Sequence, residues 1–219
     1  LTGGFGSVLL GRRLPPLQIL NGDFDPFGTD TVGSTHTGGI KSGVTNARYN
    51  NQIAYSSPNM GGLTVMGMIA AADENGGGER PIGFGINYGA GPLRVAMAYD
   101  RNGTDLKTIG FYGSYDMGVA TLMAQVEKGD LSATTDAKRW SVGAKVPMGA
   151  ATFKAGYTRW TDEDLKKFGI GIDYNLSKRT QLYADLGKIS GNGSAVGATA
   201  AARDLNRKAK FDVGINHKF

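Results

Sequence analysis

The feature that most constrains the fold of this chain is a period-2 alternation of apolar and polar residues, which persists from about residue 48 to the C-terminus. In residues 82–88, Ile82, Phe84 and Ile86 alternate with glycine and asparagine. Successive side chains of a β-strand point to opposite faces of a sheet, so each such segment predicts a strand with one apolar face. Twelve candidate strands follow: residues 5–12, 49–56, 63–71, 82–88, 93–100, 109–115, 120–126, 140–146, 153–157, 168–174, 182–186 and 211–215. The pattern predicts an all-β protein and no long amphipathic helix.

Hydropathy alone does not decide whether this sheet belongs to a soluble protein or to a membrane protein. The longest apolar run, residues 63–72, is well short of the roughly 18 residues that a membrane-spanning helix needs. The mean hydropathy of −0.24 is usual for soluble proteins. A membrane β-barrel gives a similar average, however, because its strands alternate between side chains that face lipid and side chains that face water.

The two faces of the predicted strands differ in charge. One face, which we call the apolar face, has no charge within its strand centres: Ile82, Phe84, Val95, Met97, Ile109, Phe111, Val142, Ile170 and Ile172. The opposite face, which we call the charged face, carries nine basic residues (Arg12, Arg48, Arg94, Arg139, Lys145, Lys154, Lys167, Lys210, Lys218) and six acidic residues (Asp100, Asp116, Glu127, Asp173, Asp185, Asp212). A packed core does not tolerate that many charges, so the charged face must contact water.

Aromatic residues cluster toward the ends of the apolar sets, as in the girdles of membrane barrels: Tyr49, Tyr55, Tyr88, Tyr99, Tyr115, Trp140, Tyr174 and Phe219. This placement favours lipid outside and water inside. A soluble protein would instead bury the apolar face between two sheets.

The links between the predicted strands alternate in length. The short links, residues 57–62, 89–92, 116–118, 147–150 and 175–179, are rich in the Gly, Pro, Asn and Asp that tight turns require. The mostly longer links are residues 13–47, 73–80, 102–106, 128–137, 161–164 and 188–207. Short turns therefore join the strands at one end of the sheet, and mostly longer loops join them at the other. This is typical of antiparallel transmembrane β-barrels, which have short periplasmic turns and longer external loops.

Composition excludes several classes of function. The chain of 219 residues has no Cys and only two His. The residues needed for thiolate chemistry, zinc sites and histidine catalysis are therefore almost absent. The net charge is +5, but the basic residues are scattered among the acidic ones and do not form runs that bind nucleic acid. We expect no enzymatic activity, no cofactor and no nucleic-acid partner.

Several segments resemble the general porins of Gram-negative bacteria, most closely the trimeric porins of β-proteobacteria. The similar segments are residues 5–12 (FGSVLLGR), 25–28 (DPFG), 55–59 (YSSPN), 174–183 (YNLSKRTQLY) and the terminal 214–219 (GINHKF). The resemblance implies a single barrel domain over residues 1–219 in the outer membrane, where it contacts lipid and lipopolysaccharide as a homotrimer. Such porins have about 16 strands, so the resemblance also implies that the visible strands are part of a larger barrel and that the chain is incomplete at its N-terminus.

The resemblance further implies that residues 13–47 form a constriction loop, which folds into the barrel and narrows the pore. Asp23, Asp25 and Asp30 would then face the basic residues Arg12, Arg48 and Arg94, while Arg139, Lys145, Lys154, Lys167 and Lys210 would line the lumen. The excess of basic residues on the charged face favours anions. The implied function is passive diffusion of small hydrophilic solutes with a mild preference for anions.

Three other readings stay open on the sequence alone. The barrel could be a 12-stranded translocator that carries or anchors a passenger. The chain could be a soluble all-β binding protein that uses its glycine-rich loops. Residues 13–47 could be an ordinary long loop with solvated acids. Heat-dependent gel migration separates the soluble protein from the barrels, and single-channel conductance separates the porin from the translocator.

Overall fold

The computed structural model describes residues 1–29, 31–35, 48–72, 78–132, 134–162, 164–191 and 209–219. Within them the chain forms one antiparallel sheet of 13 strands, in which each strand pairs with its neighbours in sequence. The strands are β1 (Thr2–Gly3), β2 (Gly6–Arg13), β3 (Tyr49–Ser56), β4 (Leu63–Ala70), β5 (Ile82–Ala90), β6 (Leu93–Arg101), β7 (Lys107–Asp116), β8 (Thr121–Ser132), β9 (Thr135–Met148), β10 (Ala151–Trp160), β11 (Leu165–Asn175), β12 (Thr180–Gly191) and β13 (Lys210–His217).

The sequence-based prediction of the fold is confirmed. The twelve predicted segments correspond to β2–β13, and β1 adds a strand of two residues. The order of the described strands runs from β1 to β13 without a pairing between β2 and β13, which a closed barrel of the twelve predicted strands would need.

The prediction of a long link at residues 128–137 is wrong. β8 continues to Ser132 and β9 begins at Thr135, with a shift of register between Asp130 and Ser132. The apolar alternation stops near Lys128, but the backbone ladder continues beyond it. A strand that extends past an apolar band can carry polar side chains on both faces, and hydropathy then resembles that of a loop.

Tight turns join the strands at one end of the sheet. Gly91 and Pro92 link β5 to β6, and Gly149 and Ala150 link β9 to β10. Gly91 has φ 56° and Gly149 has φ 62°, a left-handed conformation that glycine adopts without steric cost.

One helix, α1 (Pro16–Asp23), lies in the long segment between β2 and β3, where the sequence pattern does not predict it. Pro16 is at the start of the helix, where its fixed φ is favourable and its missing N–H is not needed. Leu17, Leu20 and Phe24 are buried and pack against Ala96, Ala98 and Tyr112 of the sheet. Among the described residues, no helix is both long enough and apolar enough to cross a membrane.

Burial is inverted relative to a soluble protein. Large apolar side chains on the apolar face are exposed, including Phe111, Val142 and Ile170, each more than 40% exposed. On the charged face Asp100, Glu127 and Arg139 are buried. The apolar face is therefore not packed between two sheets, which contradicts the soluble all-β reading.

The aromatic residues mostly follow the predicted girdle. Tyr55, Tyr88, Tyr115 and Tyr174 are exposed on the apolar face, near the tight turns. Tyr49 differs: it is buried on the charged face, and its hydroxyl donates a hydrogen bond to Asp100 Oδ2 at 3.0 Å. The bulge that shifts the register between Gly11 and Arg13 lies opposite the start of β3, where the simple alternation no longer assigns the face of a side chain.

Candidate functional site

The described part of the long segment after β2 lies across the charged face of the sheet. Pro16 of α1 lies over Gly83 and Gly85 of β5, and α1 also contacts β4, β6 and β7. Beyond the helix, residues 26–27 lie over β9 and β10, residues 32–33 lie over β12 and β11, and Thr35 lies over β10 again. We call the described residues 14–29 and 31–35 the inner loop.

Four glycines on neighbouring strands form the surface under the second half of the inner loop. Gly143, Gly156, Gly169 and Gly187 lie directly opposite one another across β9, β10, β11 and β12, and we call them the glycine row. Pro26 lies over Gly143, and Phe27 and Thr35 lie over Gly156. The backbone of Gly33 and Val32 lies over Gly169 and Gly187, so close that a Cβ at either glycine would overlap a carbonyl oxygen. We call the charged face of the strands the wall. The glycine row therefore allows the loop backbone to approach the wall directly.

A buried polar cluster anchors α1 to the wall. The Glu127 carboxylate accepts hydrogen bonds from Asn21 Nδ2 at 2.6 Å and from the Tyr112 hydroxyl at 2.8 Å. Its other oxygen forms an ion pair with Arg139 Nη2 at 2.9 Å. Gln125 Nε2 donates to the backbone oxygen of Asn21 at 3.2 Å. A buried charge is tolerated when it is paired and hydrogen-bonded in this way.

Thr35 is the second anchor point of the inner loop. Its backbone oxygen accepts hydrogen bonds from the Thr158 hydroxyl at 2.9 Å and from Arg139 Nη1 at 3.3 Å. Because Arg139 bonds both Glu127 and Thr35, it links the two halves of the inner loop through the wall. A third contact runs from the Val32 backbone N–H to Asp212 Oδ2 at 3.1 Å.

Asp25 occupies a different position from the expected one. It is 0% exposed, and its carboxylate accepts hydrogen bonds from the backbone N–H of Phe27 at 2.9 Å, the Ser34 hydroxyl at 2.5 Å and the backbone N–H of Thr35 at 3.0 Å. The carboxylate thus closes the turn of the inner loop and does not face an open channel. The bond from the Phe27 N–H, two residues on, is that of an Asx turn, and the bonds from Ser34 and Thr35 join the two ends of the turn.

The structure brings together one of the predicted acid–base pairs. Asp23 Oδ2 lies 3.3 Å from Arg94 Nη2, both side chains are partly exposed, and the Arg94 guanidinium lies 5.0 Å from the centre of the Phe24 ring. Arg12 instead donates a hydrogen bond to Asn50 Oδ1 at 2.6 Å. Arg48 is exposed immediately before β3. Asp30 lies outside the described residues.

The other predicted lumen residues fall into two groups. Lys154 and Lys167 are buried, as is Arg139, whereas Lys145 is half-buried and Lys210 is exposed. Lys154 Nζ forms ion pairs with Asp173 at 2.5 Å and Asp185 at 3.2 Å, and it lies 5.0 Å from the centre of the Phe27 ring. Arg139 and Lys154 therefore hold the inner loop and the wall together and are not free charges.

Sequence reasoning missed the residues that anchor the loop. Tyr112, Gln125 and Thr158 have no pattern that distinguishes them from other polar residues of the charged face, and Asn21 has none that distinguishes it from other polar residues of the long segment after β2. The glycine row does leave a signal, because glycines recur at the centres of consecutive strands on the charged face. Only the register of the strands shows that they are aligned.

The arrangement can hold an aqueous path along the charged face. The apolar face is directed outward, the charged face is crossed by a loop, and three links at one end of the sheet are longer than any link at the other end. These features together define a transmembrane β-barrel of the porin class.

Comparison with known proteins gives the family. A model of the Gram-negative porin family matches residues 1–194 of the chain. The chain therefore belongs to the Gram-negative porin family, is an outer-membrane protein and is not an enzyme. The family match also favours the porin over the translocator reading.

Two curated relatives are outer membrane porins. Outer membrane porin protein 32 of Delftia acidovorans is 28% identical over 258 residues, which cover 100% of this chain and 72% of the relative. An outer membrane porin of Bordetella pertussis is 26% identical over 274 residues, which cover 98% of this chain and 69% of the relative.

Solved structures agree with the fold. The anion-selective porin of Comamonas acidovorans superposes with a TM-score of 0.78 at 26% identity, covering 100% of this chain and 76% of that one. A triple mutant of the Rhodopseudomonas blastica porin has a TM-score of 0.73 at 15% identity, covering 99% and 74% of the two chains, and this likeness shows the fold alone.

Proposed function

We propose that the protein is a passive diffusion channel for small hydrophilic solutes and ions, with a mild preference for anions. Residues 13–47 act as the constriction loop in this proposal. Both parts rest on the placement of charges around the inner loop.

The anion preference rests on one observation, namely the set of charges on the charged face that water can reach. Equal numbers of basic and acidic residues of this face are buried and so do not contact water. They are three basic residues (Arg139, Lys154, Lys167) and three acidic residues (Asp100, Glu127, Asp185). The accessible basic residues are Arg12, Arg48, Arg94, Lys145, Lys210 and Lys218, against Asp116, Asp173 and Asp212. The basic excess is therefore retained in the water-accessible part of this face. A narrow aqueous path between low-dielectric walls concentrates counter-ions of the opposite sign.

The position of the inner loop supports a narrowed path. Its two anchors, at Asn21 and Thr35, hold it across the charged face of β4–β12. Asp23 lies on the loop and Arg94 on the wall, so opposite charges are held at an accessible point. The pair forms a dipole beside the path, and its field orients dipolar solutes that pass it.

One solved relative supports the same selectivity. The Comamonas acidovorans protein is described as an anion-selective porin, and it covers the whole of this chain at 26% identity. The proposal extends that selectivity to this chain. It also includes assembly as a homotrimer surrounded by outer-membrane lipid and lipopolysaccharide, which native mass spectrometry from detergent tests directly.

Planar-bilayer recording tests the channel. The folded protein, recognised by its compact gel migration before boiling, is added to both sides of a neutral bilayer and then studied in a KCl gradient. We expect discrete conductance steps and a reversal potential that favours chloride. A reversal potential that favours potassium would overturn the anion preference, and the absence of steps from folded protein would overturn the channel.

A further inference from the structure

The side chain of Tyr112 in β7 folds back over a glycine of its own strand. Gly110 precedes Tyr112 by two residues, so both positions belong to the charged face. A Cβ at Gly110 would overlap the Tyr112 hydroxyl oxygen and the ring carbon that bears it. Tyr112 is buried, with 4% exposure. The ring therefore occupies the space that a side chain at position 110 would take.

This orientation brings the hydroxyl to the next strand. Gly110 lies directly opposite Glu127 of β8, whereas Tyr112 lies opposite Gln125. Because the ring crosses Gly110, the Tyr112 hydroxyl reaches the Glu127 carboxylate and donates a hydrogen bond of 2.8 Å. The accepting oxygen also accepts the hydrogen bond from Asn21 of α1 at 2.6 Å. The wall and the helix thus share one carboxylate oxygen next to Gly110.

The Tyr112 ring also supports the C-terminal end of α1. Its centre lies 5.7 Å from the centre of the Phe24 ring, and the two ring planes are tilted by 31°. Leu17 and Leu20 of α1 belong to the same buried cluster. Aromatic pairs at such distances stabilise a contact beyond the area that they bury. The helix therefore rests on this ring at the point where it ends, beside Asp23.

Phe24 connects the Tyr112 ring to the accessible charge pair. The Arg94 guanidinium lies 5.0 Å from the centre of the Phe24 ring, and Arg94 Nη2 lies 3.3 Å from Asp23 Oδ2. Asp23 and Phe24 are consecutive residues, so a displacement of one moves the other. A continuous series of contacts thus runs from Gly110 through the two aromatic rings to the pair of Asp23 and Arg94.

We propose that Gly110 and Tyr112 are positioning residues for the pair of Asp23 and Arg94. The ring fits between the wall and α1 because position 110 has no side chain, and it fixes the end of the helix that carries Asp23. Neither residue has to contact a solute for this role. The proposal rests on the proposed function for one point, namely that permeating ions pass this pair. Without the ring in its place, α1 loses its contact with the wall at Phe24, and the Asp23 carboxylate loses its fixed position.

The test compares two alanine variants of the same strand. Gly110→Ala forces the Tyr112 ring off the wall, whereas Gly113→Ala adds a Cβ on the apolar face of β7 with no neighbour within 4 Å. Each protein is folded in detergent and must give the compact gel band before boiling. Hydrogen exchange followed by mass spectrometry then measures the opening of α1 in the peptide that covers residues 16–24.

We expect this peptide to exchange about tenfold faster in Gly110→Ala, because the loss of a hydrogen bond to a carboxylate shifts a local opening equilibrium by that order. Gly113→Ala should exchange as the parent does. Tyr112→Phe lacks the hydroxyl and should also exchange faster, so the result does not depend on the folding of one variant.

A double-mutant cycle tests whether Gly110 acts through the ring. In the Tyr112→Leu background the ring is absent, so Gly110→Ala should cause no further change. The same acceleration by Gly110→Ala in both backgrounds would overturn the proposal. Exchange of the α1 peptide that is unchanged in Gly110→Ala and Tyr112→Phe would also overturn it, as would equally faster exchange in a distant strand such as β12.

Single-channel recording separates this proposal from the proposed function. A helix that is no longer held in place should make the open-channel current of Gly110→Ala fluctuate about twofold more than that of the parent or of Gly113→Ala. A steady current together with faster exchange would mean that α1 moves without effect on the path, which overturns the positioning role. A parent with a protected α1 but no conductance would contradict the channel and leave the support of α1 by the ring intact. Steady conductance with unchanged exchange in Gly110→Ala would do the reverse.

Discussion

Gly169 of β11 lies directly opposite Gly187 of β12, and the backbone of the inner loop passes over both. A loop that is held by side chains alone stays at least a side chain's length from a sheet. The glycine row removes that distance at Gly169 and Gly187, where the backbone of the loop lies on the backbone of the strands. At Gly143 and Gly156 the loop contacts the strands directly through its side chains. The position of the loop thus depends on the absence of Cβ atoms as well as on its polar anchors.

Gly169→Ala tests this dependence. The added Cβ would overlap the Gly33 carbonyl oxygen, so the loop must move away from β11. We expect a loss of roughly 1–3 kcal/mol in the free energy of unfolding, which is the usual cost of overpacking. We also expect a larger single-channel conductance, because the displaced loop narrows the path less.

Gly113→Ala is the matched control for this change. Gly113 is also in the middle of a strand, on the apolar face of β7, and a Cβ there would have no neighbour within 4 Å. Its conductance should equal that of the parent. If both alanine variants conduct alike, the inner loop does not depend on the glycine row.

The fold could be predicted from the sequence because the alternation of apolar and polar residues can be recognised in each strand separately. Alternation in residues such as Ile82, Phe84 and Ile86 identifies both the strand and its outward face without knowledge of any partner. The same reasoning fails at residues 128–137, where the ladder continues through polar residues. It also fails for α1, whose eight residues are held by burial against the sheet and have no helical periodicity strong enough to detect.

The buried ion pair between Glu127 and Arg139 gives a prediction about stability. Both side chains are almost completely buried, at 0% and 1% exposure. Arg139→Met removes one charge and leaves the Glu127 carboxylate buried beside Asn21 and Tyr112. We expect the free energy of unfolding to fall by about 3–5 kcal/mol. The compact gel band should then disappear at a lower temperature when the variant is heated in detergent.

An exposed pair on the same two strands provides the control. Lys128 of β8 and Asp136 of β9 are 3.0 Å apart, and their side chains are about half exposed. Lys128→Met should hardly change the unfolding temperature, because solvent screens such pairs. Similar effects of the two methionine variants would show that the buried pair is not a structural anchor.

The site could be predicted only in part, since its residues act through partners that are distant in sequence. Charge and alternation place Arg94, Arg139 and Lys154 on the charged face. They do not show that Arg139 binds Thr35, 104 residues away, or that Lys154 binds Asp173 and Asp185. Asp25 is the clearest example, because an acid in a polar loop predicts a solvated carboxylate unless its three local donors are known.

Arg94→Gln gives a prediction about selectivity. The change leaves the carboxylate of Asp23 at the inner loop without its partner, so the local potential becomes more negative. We expect the ratio of chloride to potassium permeability to fall by about twofold at 0.1 M salt, and the change to shrink at 1 M, where the screening length is only about 3 Å. Arg179→Gln, at the tight turn after β11, is the control and should keep the parent ratio. A permeability ratio unchanged by Arg94→Gln at low salt would remove this pair from the constriction.

The last prediction concerns the depth of the apolar face. Val142 lies near the middle of β9, on the apolar face and 47% exposed, whereas Met148 ends the same strand beside the tight turn. In a bilayer a lysine costs about 2–4 kcal/mol at the midplane and about 0–1 kcal/mol near the interface. Val142→Lys should therefore lower the stability measured by reversible unfolding from lipid vesicles, and Met148→Lys should not. In water both positions would tolerate lysine, because both side chains are exposed. Equal stability of the two variants in vesicles would mean that hydrocarbon does not surround Val142, and the outward direction of the apolar face would have to be explained without a membrane.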